Sequence, residues 1–160
     1  MARQSIRKLT CITDEYRNRV LQLGEEPGRI YNFGAPGLDG LHKIRQVPRE
    51  ELANFLKITL KDEIFLVTYH PTTLDNIASE KVLDELLKTL DLYPNVTVVI
   101  TKANADFGGG KINTRLENFA KKKPTSRVLV NSLGLEKYYS LMRLAKVVIG
   151  NSSSGIIEAP

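Results

Sequence analysis

Cysteine is nearly missing from this sequence. Cys11 stands alone among 160 residues, so no internal disulfide can form and no multi-cysteine zinc site can be built. Histidine is almost as scarce, with only His42 and His70. Without a His cluster or a second thiol, the chain lacks the usual ligand set of a structural transition-metal site. Long hydrophobic runs are absent as well. None exceeds the four residues IFLV at 64–67, against the ~20 needed to cross a bilayer. Met1-Ala-Arg-Gln-Ser begins the chain with no apolar stretch behind it, so no secretory signal is expected. No fixed-period repeat and no low-complexity tract interrupts the pattern. The expectation is a cytoplasmic protein in a reducing compartment, with no membrane partner.

What the sequence does contain is ordinary globular material. Hydrophobic residues make up 42% and charged residues 26%, close to folded averages and far from a disordered composition. The length fits one compact domain, or a small subdomain plus an incomplete larger one. The formal charge of +5 and the pI of about 9.3 suit an anionic partner, either nucleic acid or a small ligand. The positives are scattered, and no aromatic side chains interleave with them in the manner that stacks bases. Nucleic acid is therefore not expected. The lysine run at 121–123 falls at an expected helix C-terminus, where the helix dipole favours cations.

Two patterns divide the chain. In the first, "KLTCIT" (8–13) suits a short strand, and Thr13 or Asp14 can cap a helix running to about Leu23. Tyr16, Val20 and Leu23 share one face of that helix, and Gly24 ends it. "RIYNFG" (29–34) reads as a second strand. The stretch that follows, "APGLDGLHKIRQVPREE", is rich in proline, glycine and charge and reads as a linker.

Beyond it, strands and helices alternate. Strands are expected at 63–70, 96–101, 127–132 and 147–150, the first a near-continuous apolar run of the kind buried in parallel sheets. Between them lie three amphipathic helices. The first, near 78–91, carries Val82, Leu83, Leu86, Leu87 and Leu90. The second, near 111–122, carries Ile112, Leu116, Phe119 and Ala120. The third carries Leu135, Tyr138, Tyr139, Met142 and Ala145. This alternation implies βαβ units and a parallel, Rossmann-like α/β sheet with flanking helices.

Open sheets of this kind bind ligands outside the C-terminal ends of their strands, so the loops there hold the candidate chemistry. In "VTYHPTTLDN", His70 closes a strand and is held extended by Pro71. Its imidazole can donate to a phosphate, act as acid or base, or simply cap the loop. In "ITKANADFGGGK", Asn104 can meet a ligand hydroxyl and the glycines at 108–110 let backbone N–H groups approach an anion. Taken alone, the stretch reads first as an ordinary Asx turn with a glycine tip. The stretch is neither a Walker loop nor GxGxxG. In "VNSLGLEKYY", backbone groups could read a base edge with Leu133 against its face, or the segment is only a tight connection. In "VVIGNSSSGIIEAP", Ser152, Ser153 and Ser154 add hydroxyls at a helix start, which suits a phosphate. Glu158 could accept from both hydroxyls of a ribose. N-capping alone would need fewer serines.

Taken in order, "TDEYRNRVLQLGEEPGRIYNFGAPGLD", "VTYHPTT", "NADFGGGKIN", "SLG…YY" and "IGNSSSGIIEAP" resemble the UDP-N-acetylglucosamine 2-epimerase family, over almost the whole chain. "KANAD" looks like its hydrolysing branch, which feeds sialic-acid-type sugars. The resemblance implies a fragment of a GT-B-type enzyme with two Rossmann-like domains. Residues 1–40 would be the last βαβ unit of the N-terminal domain, 41–60 the interdomain linker, and 61–160 a truncated C-terminal UDP-binding domain. The family continues after "EAP" into another strand and an arginine-bearing loop, and carries acidic catalytic residues in its first domain. The implied reaction converts UDP-N-acetylglucosamine, or a 2,4-diacetamido relative, to the free 2-epimer and UDP. Ser152 and Ser153 would hold the diphosphate, Glu158 the ribose and Leu133 the uracil. His70 would act at the sugar-phosphate, and Asn104 would line the pocket. No cofactor or metal is implied, and the full-length protein would be a homo-oligomer. The 160 residues alone are expected to be inactive. A non-catalytic UDP-binding fragment and the nucleotide domain of a GT-B glycosyltransferase are the alternatives.

Overall fold

The computed structural model describes residues 8–71, 76–103 and 109–159, with the side chains of residues 42, 76–79 and 156 left aside. The chain divides into two compact units, Met1–Lys43 and Ile44–Pro160.

The first unit is a small βαβ arrangement. β1 (Leu9–Cys11) and β2 (Ile30–Asn32) pair in parallel, with Leu9 opposite Ile30 and Cys11 opposite Asn32. Between them runs α1 (Asp14–Gln22), whose N-cap is Thr13: its hydroxyl accepts from the Tyr16 N–H at 3.2 Å. Gly24 follows the helix at φ +90°, the left-handed turn that glycine makes at least cost. The apolar face expected on α1 is not buried. No α1 residue is fully covered, and Leu23 is 83% exposed. Two three-residue strands offer too little apolar area to cover a helix face.

The second unit holds one parallel sheet in the order β5-β4-β3-β6. Its strands are β3 (Ile64–Thr68), β4 (Thr97–Thr101), β5 (Arg127–Val130) and β6 (Val147–Gly150). Every residue of β3 is buried, and so are the first four of β4. Alternate side chains of these strands feed two cores. On one face Phe65, Val67, Val98 and Ile100 pack against α3 (Asn76–Asp91) and α4 (Gly109–Lys122), through Leu83, Leu90, Ile112, Leu116 and Phe119. On the other face Ile64, Leu66 and Val99 pack against α2 (Arg49–Leu56) and α5 (Gly134–Leu144), through Leu52, Leu56, Leu141 and Met142. A final single turn, α6, spans Ser154–Ile157.

Helix α2 is the main departure from expectation. Residues 41–60 read as a linker, yet Val47, Leu52, Leu56 and Leu60 are core residues of the second unit. Pro48 stands at the N-cap of α2, and Lys57 ends it in the left-handed conformation at φ +57°. The buried Ser140 hydroxyl accepts from the Val47 N–H at 2.8 Å, which ties this segment to α5. A helix of two turns offers only Leu52 and Leu56 as periodic anchors, too few to stand out among Arg49, Glu50 and Glu51. Two smaller corrections follow the same logic. Val82 and Leu135, expected on buried faces, are 57% and 62% exposed, whereas Leu141, next in sequence to Ser140, is fully buried.

The connections give the sheet its polarity. From β3 the chain steps to β4 and then β5, with α3 and α4 on one face; it returns under the other face through α5 to place β6 on the opposite side of β3. The strand order therefore reverses between β3 and β6. In open α/β sheets the C-terminal mouth of that reversal is where ligands bind.

Candidate functional site

Two segments emerge side by side at this reversal: residues 69–71 after β3, with His70, and the run from Gly150, the last residue of β6, to Gly155 in α6. Gly150 lies opposite Thr68 in the β3–β6 register and has φ +147°. A Cβ at Gly150 would stand 1.7 Å from the Thr68 carbonyl oxygen, so the strand ends can approach this closely only with glycine there.

Asn151 then joins the loops. Its backbone N–H donates to the Thr68 carbonyl at 3.3 Å. Its side-chain Oδ1 accepts from the His70 N–H at 2.8 Å, and its Nδ2 donates to the His70 carbonyl at 2.8 Å. Both backbone groups of His70 are thus held by one amide. On the next strand pair, Thr68 and Thr101 lie opposite each other and share a hydroxyl contact of 2.8 Å.

The serine run has its own internal order. Ser154 Oγ donates to Ser152 Oγ at 3.0 Å, and the Ser154 N–H lies 3.4 Å from the same oxygen. The Tyr138 hydroxyl on α5 meets Ser154 Oγ at 2.7 Å. Ser153 is exposed and occupies the N-cap position of α6 without a side-chain cap bond. Its hydroxyl therefore does not perform the capping that would be its commonest structural duty. Because α6 is a single turn, little helix dipole stands behind this loop; its hydroxyls and N–H groups are the main donors on offer. Glu158 follows α6, its N–H donating to the Ser154 carbonyl at 3.0 Å. Burial, and next the negative charge of Glu158, hold the Tyr139 phenol above its ordinary pKa. Thr68 and residues 148–155 line a cleft of about 440 Å³, a size that suits a small-molecule ligand. A comparable hollow of about 490 Å³ is lined by residues of α2 and by residues 57–60 that follow it.

The structure therefore brings His70, Ser152, Ser153 and Glu158 to one end of the sheet, around β6. Among the described residues, His70 is not part of the lining of the 440 Å³ cleft; Asn151, which is, holds the His70 backbone. Leu133 is placed differently. Its side chain is 4% exposed and belongs to the core shared with Leu141 and Met142, so it has no face to lay against a base; only the backbone of its turn is available. That turn closes β5, separated from β6 by β4 and β3. Asn104 lies outside the described residues. Its neighbour Ala103 is clasped by Asn113 of α4: the Ala103 N–H donates to Asn113 Oδ1 at 2.8 Å, and Asn113 Nδ2 donates to the Ala103 carbonyl at 3.2 Å.

Sequence reasoning gave Asn151 and Asn113 no role and placed Tyr138 only on the face of a helix, although each sits inside a quoted stretch. Their partners lie 81, 10 and 16 residues away. Among the described residues, no group of three or more His, Cys, Asp or Glu side chains is placed to hold a metal ion. Among them, too, no helix is long and apolar enough to cross a membrane.

The Tyr138–Ser154 contact can be weighed directly. Tyr138→Phe keeps the ring and removes one half-buried hydrogen bond, a loss of about 1 kcal/mol. The expected result is a melting temperature lower by a few degrees, with added protease sensitivity confined to the loop after β6. An unchanged melt and digest would show that the hydroxyl pair contributes nothing.

By fold and loop placement this is a doubly wound α/β unit whose strand-end loops converge where the strand order reverses. The sequence profile of the UDP-N-acetylglucosamine 2-epimerase family matches residues 2–160, and the chain belongs to that family. It is 42% identical over 145 residues to a GDP/UDP-N,N'-diacetylbacillosamine 2-epimerase (hydrolyzing) of Campylobacter jejuni, covering 91% of this chain and 38% of that protein. It is 34% identical over 163 residues to polysialic acid biosynthesis protein P7 of Escherichia coli, covering 99% and 41%. Among solved structures, the UDP-N-acetylglucosamine 2-epimerase from Rickettsia bellii superposes with a TM-score of 0.63 at 19% identity, covering 91% of this chain and 37% of that one. The UDP-GlcNAc 2-epimerase from Methanocaldococcus jannaschii gives 0.61 at 18% identity, covering 95% and 43%. The chain thus spans about two-fifths of the length of these relatives.

Proposed function

We propose that this chain supplies the UDP-binding half of a hydrolysing UDP-sugar 2-epimerase. In the proposed reaction a UDP-2-acetamido or 2,4-diacetamido sugar and water become the free 2-epimer and UDP, on the way to sialic-acid-type sugars. The C2 proton is removed and the anomeric C–O bond to UDP breaks, leaving a glycal. Water then adds across the double bond, delivering hydroxyl to C1 and a proton to C2 on the opposite face. The residues of this chain serve the departing group. Ser152, Ser153 and the N–H groups of their loop receive diphosphate charge, which is where catalysis of an elimination gains most. Glu158 takes the ribose hydroxyls, and His70, the proposed catalytic residue, lies at the sugar-phosphate junction. Asn104 is proposed to line the same pocket. For uracil, the backbone at Leu133 replaces the side-chain contact expected from sequence. We assign the first unit to the end of an N-terminal domain and the second to the C-terminal domain of a GT-B-type enzyme, cytoplasmic and homo-oligomeric when full length.

The observation that carries this reading is the pairing of an exposed, non-capping Ser153 with a clasped His70 loop at the strand reversal. Family membership weighs against a glycosyltransferase. Titrating UDP into the 160-residue chain, followed by amide NMR, tests it. Saturable shifts in residues 150–158 are expected, weakened about tenfold by Ser153→Ala, a loss of the size that follows when a charge-assisted hydrogen bond is removed. No sugar release is expected from this chain alone. Absence of UDP-dependent shifts at that loop would overturn the site, and sugar release would overturn the division of labour.

A further inference from the structure

We infer that Asn151 is a positioning residue, which sets the placement of the His70 imidazole by holding the backbone of His70 from both sides. The inference rests on the reading of His70 as the group at the sugar-phosphate. Three observations carry it. The Asn151 amide makes two complementary bonds to His70, accepting from its N–H and donating to its carbonyl, each at 2.8 Å. Asn151 itself has little freedom, because its N–H is tied to Thr68 and the preceding Gly150 is pressed against the Thr68 carbonyl. And the clasp joins positions 81 residues apart in sequence, at the point where the strand order reverses.

A primary amide is the side-chain group this task needs. It offers one acceptor and one donor in a plane, matching the N–H and C=O of a single residue. A carboxylate at 151 would keep the acceptor but face the His70 carbonyl with a negative oxygen. A hydroxyl has too short a reach to meet both groups. The imidazole stands on the residue so gripped, and Pro71 follows it, restricting His70 to extended backbone. With both backbone groups bonded and the φ/ψ range narrowed, the direction in which His70 projects is set by the β6 loop and not only by its own strand. The same amide lies beside the serines proposed to take the diphosphate, so that loop and the imidazole are coupled through one side chain.

The experiment uses the 160-residue chain and its two histidines. Proton NMR of the imidazole Cε1–H groups, assigned with His70→Ala, reports His70 with His42 as the internal reference. In Asn151→Ala the His70 resonance is expected to shift or broaden while that of His42 stays. Asn151→Asp, which keeps one of the two bonds, is expected to fall between, and it carries the same readout if the alanine variant does not fold. An unmoved His70 resonance in a folded variant would overturn the inference whatever the ligand does. UDP affinity then supplies a double-mutant cycle. Asn151→Ala is expected to weaken UDP about fivefold in the parent chain and clearly less in a His70→Ala background, where only the anchoring of the serine loop is left to lose. Equal losses in both backgrounds would show that Asn151 does not act through His70. If no form binds UDP, the proposed ligand is wrong, and the imidazole spectra still decide the clasp.

Discussion

Replacing Gly150 with alanine should unfold the second unit or leave it barely stable. The new Cβ would meet the Thr68 carbonyl oxygen at 1.7 Å and its carbon at 2.7 Å, and both belong to backbone inside the β3–β6 ladder. Neither side can yield cheaply. The Thr68 carbonyl accepts from Asn151, and Thr68 itself is held to Thr101 across the sheet. The φ of +147° adds strain for any residue with a side chain. The expected cost is more than about 4 kcal/mol, the range reached only by strain or severe overpacking. That is a large part of the roughly 5–15 kcal/mol that holds a domain together. Urea unfolding followed by circular dichroism measures it. Gly110→Ala is the matched control, since a Cβ there meets nothing within 4 Å. Placed in α4, it should stabilise by about 0.5–1 kcal/mol. Equal behaviour of the two variants would refute the close approach of the β3 and β6 ends on which the site is built.

Asp91→Ala should be the next most damaging change, through a residue it leaves behind. The Arg127 side chain is 2% exposed, and its Nη2 donates to Asp91 Oδ1 at 2.5 Å. Its guanidinium lies 3.8 Å from the centre of the Phe119 ring, and Nη1 has no hydrogen-bond partner. Removing Asp91 strands a buried cation. Breaking a fully buried pair costs about 3–5 kcal/mol. Here about 2–3 kcal/mol is expected, because Asp91 is 42% exposed and water can replace part of what is lost. Arg127→Met, which removes the charge and keeps the length, should cost far less or even stabilise. The pH dependence has a definite sign. The hydrogen bond from Arg127, above all, holds the Asp91 carboxyl below the usual aspartate range. A depressed folded-state pKa contributes stability that is complete above the unfolded value, about 3.9, and lost as pH falls through the folded value. The gap between the parent and Asp91→Ala in urea midpoint should therefore be full at pH 7 and close below pH ~4. A gap that stays the same once acid has protonated the Asp91 carboxyl would mean that packing, and not the ion pair, carries the effect.

These two sites lie at opposite ends of the sheet, and they differ in how far sequence foreshadowed them. The strands were legible because β3 and β4 are buried on both faces and so read as apolar runs. Helix α4 was legible because Ile112, Leu116, Phe119 and Ala120 recur on one stripe and are all buried. The turn from β6 into α6 was legible because glycine, asparagine and serines follow an apolar run. Helix α2 was not, since two turns give periodicity too little length to register. Leu133 was misread in its contact: a leucine in a turn can cover a ligand or enter the core, and only the position of α5 beneath the sheet sends it inward. The burial of Arg127 was equally silent, because an arginine at a strand start is ordinarily exposed.

Local sequence alone determined that this chain forms parallel strands divided by amphipathic helices, and which loops carry hydroxyls, an imidazole and a carboxylate. Those properties follow from residue spacing and side-chain chemistry within a few positions. Only the tertiary structure decided that β6 lies beside β3, so that Asn151 grips the backbone of a residue 81 positions away. Strand neighbours are chosen by which faces of several helices must be covered at once, and no short stretch of sequence contains that choice.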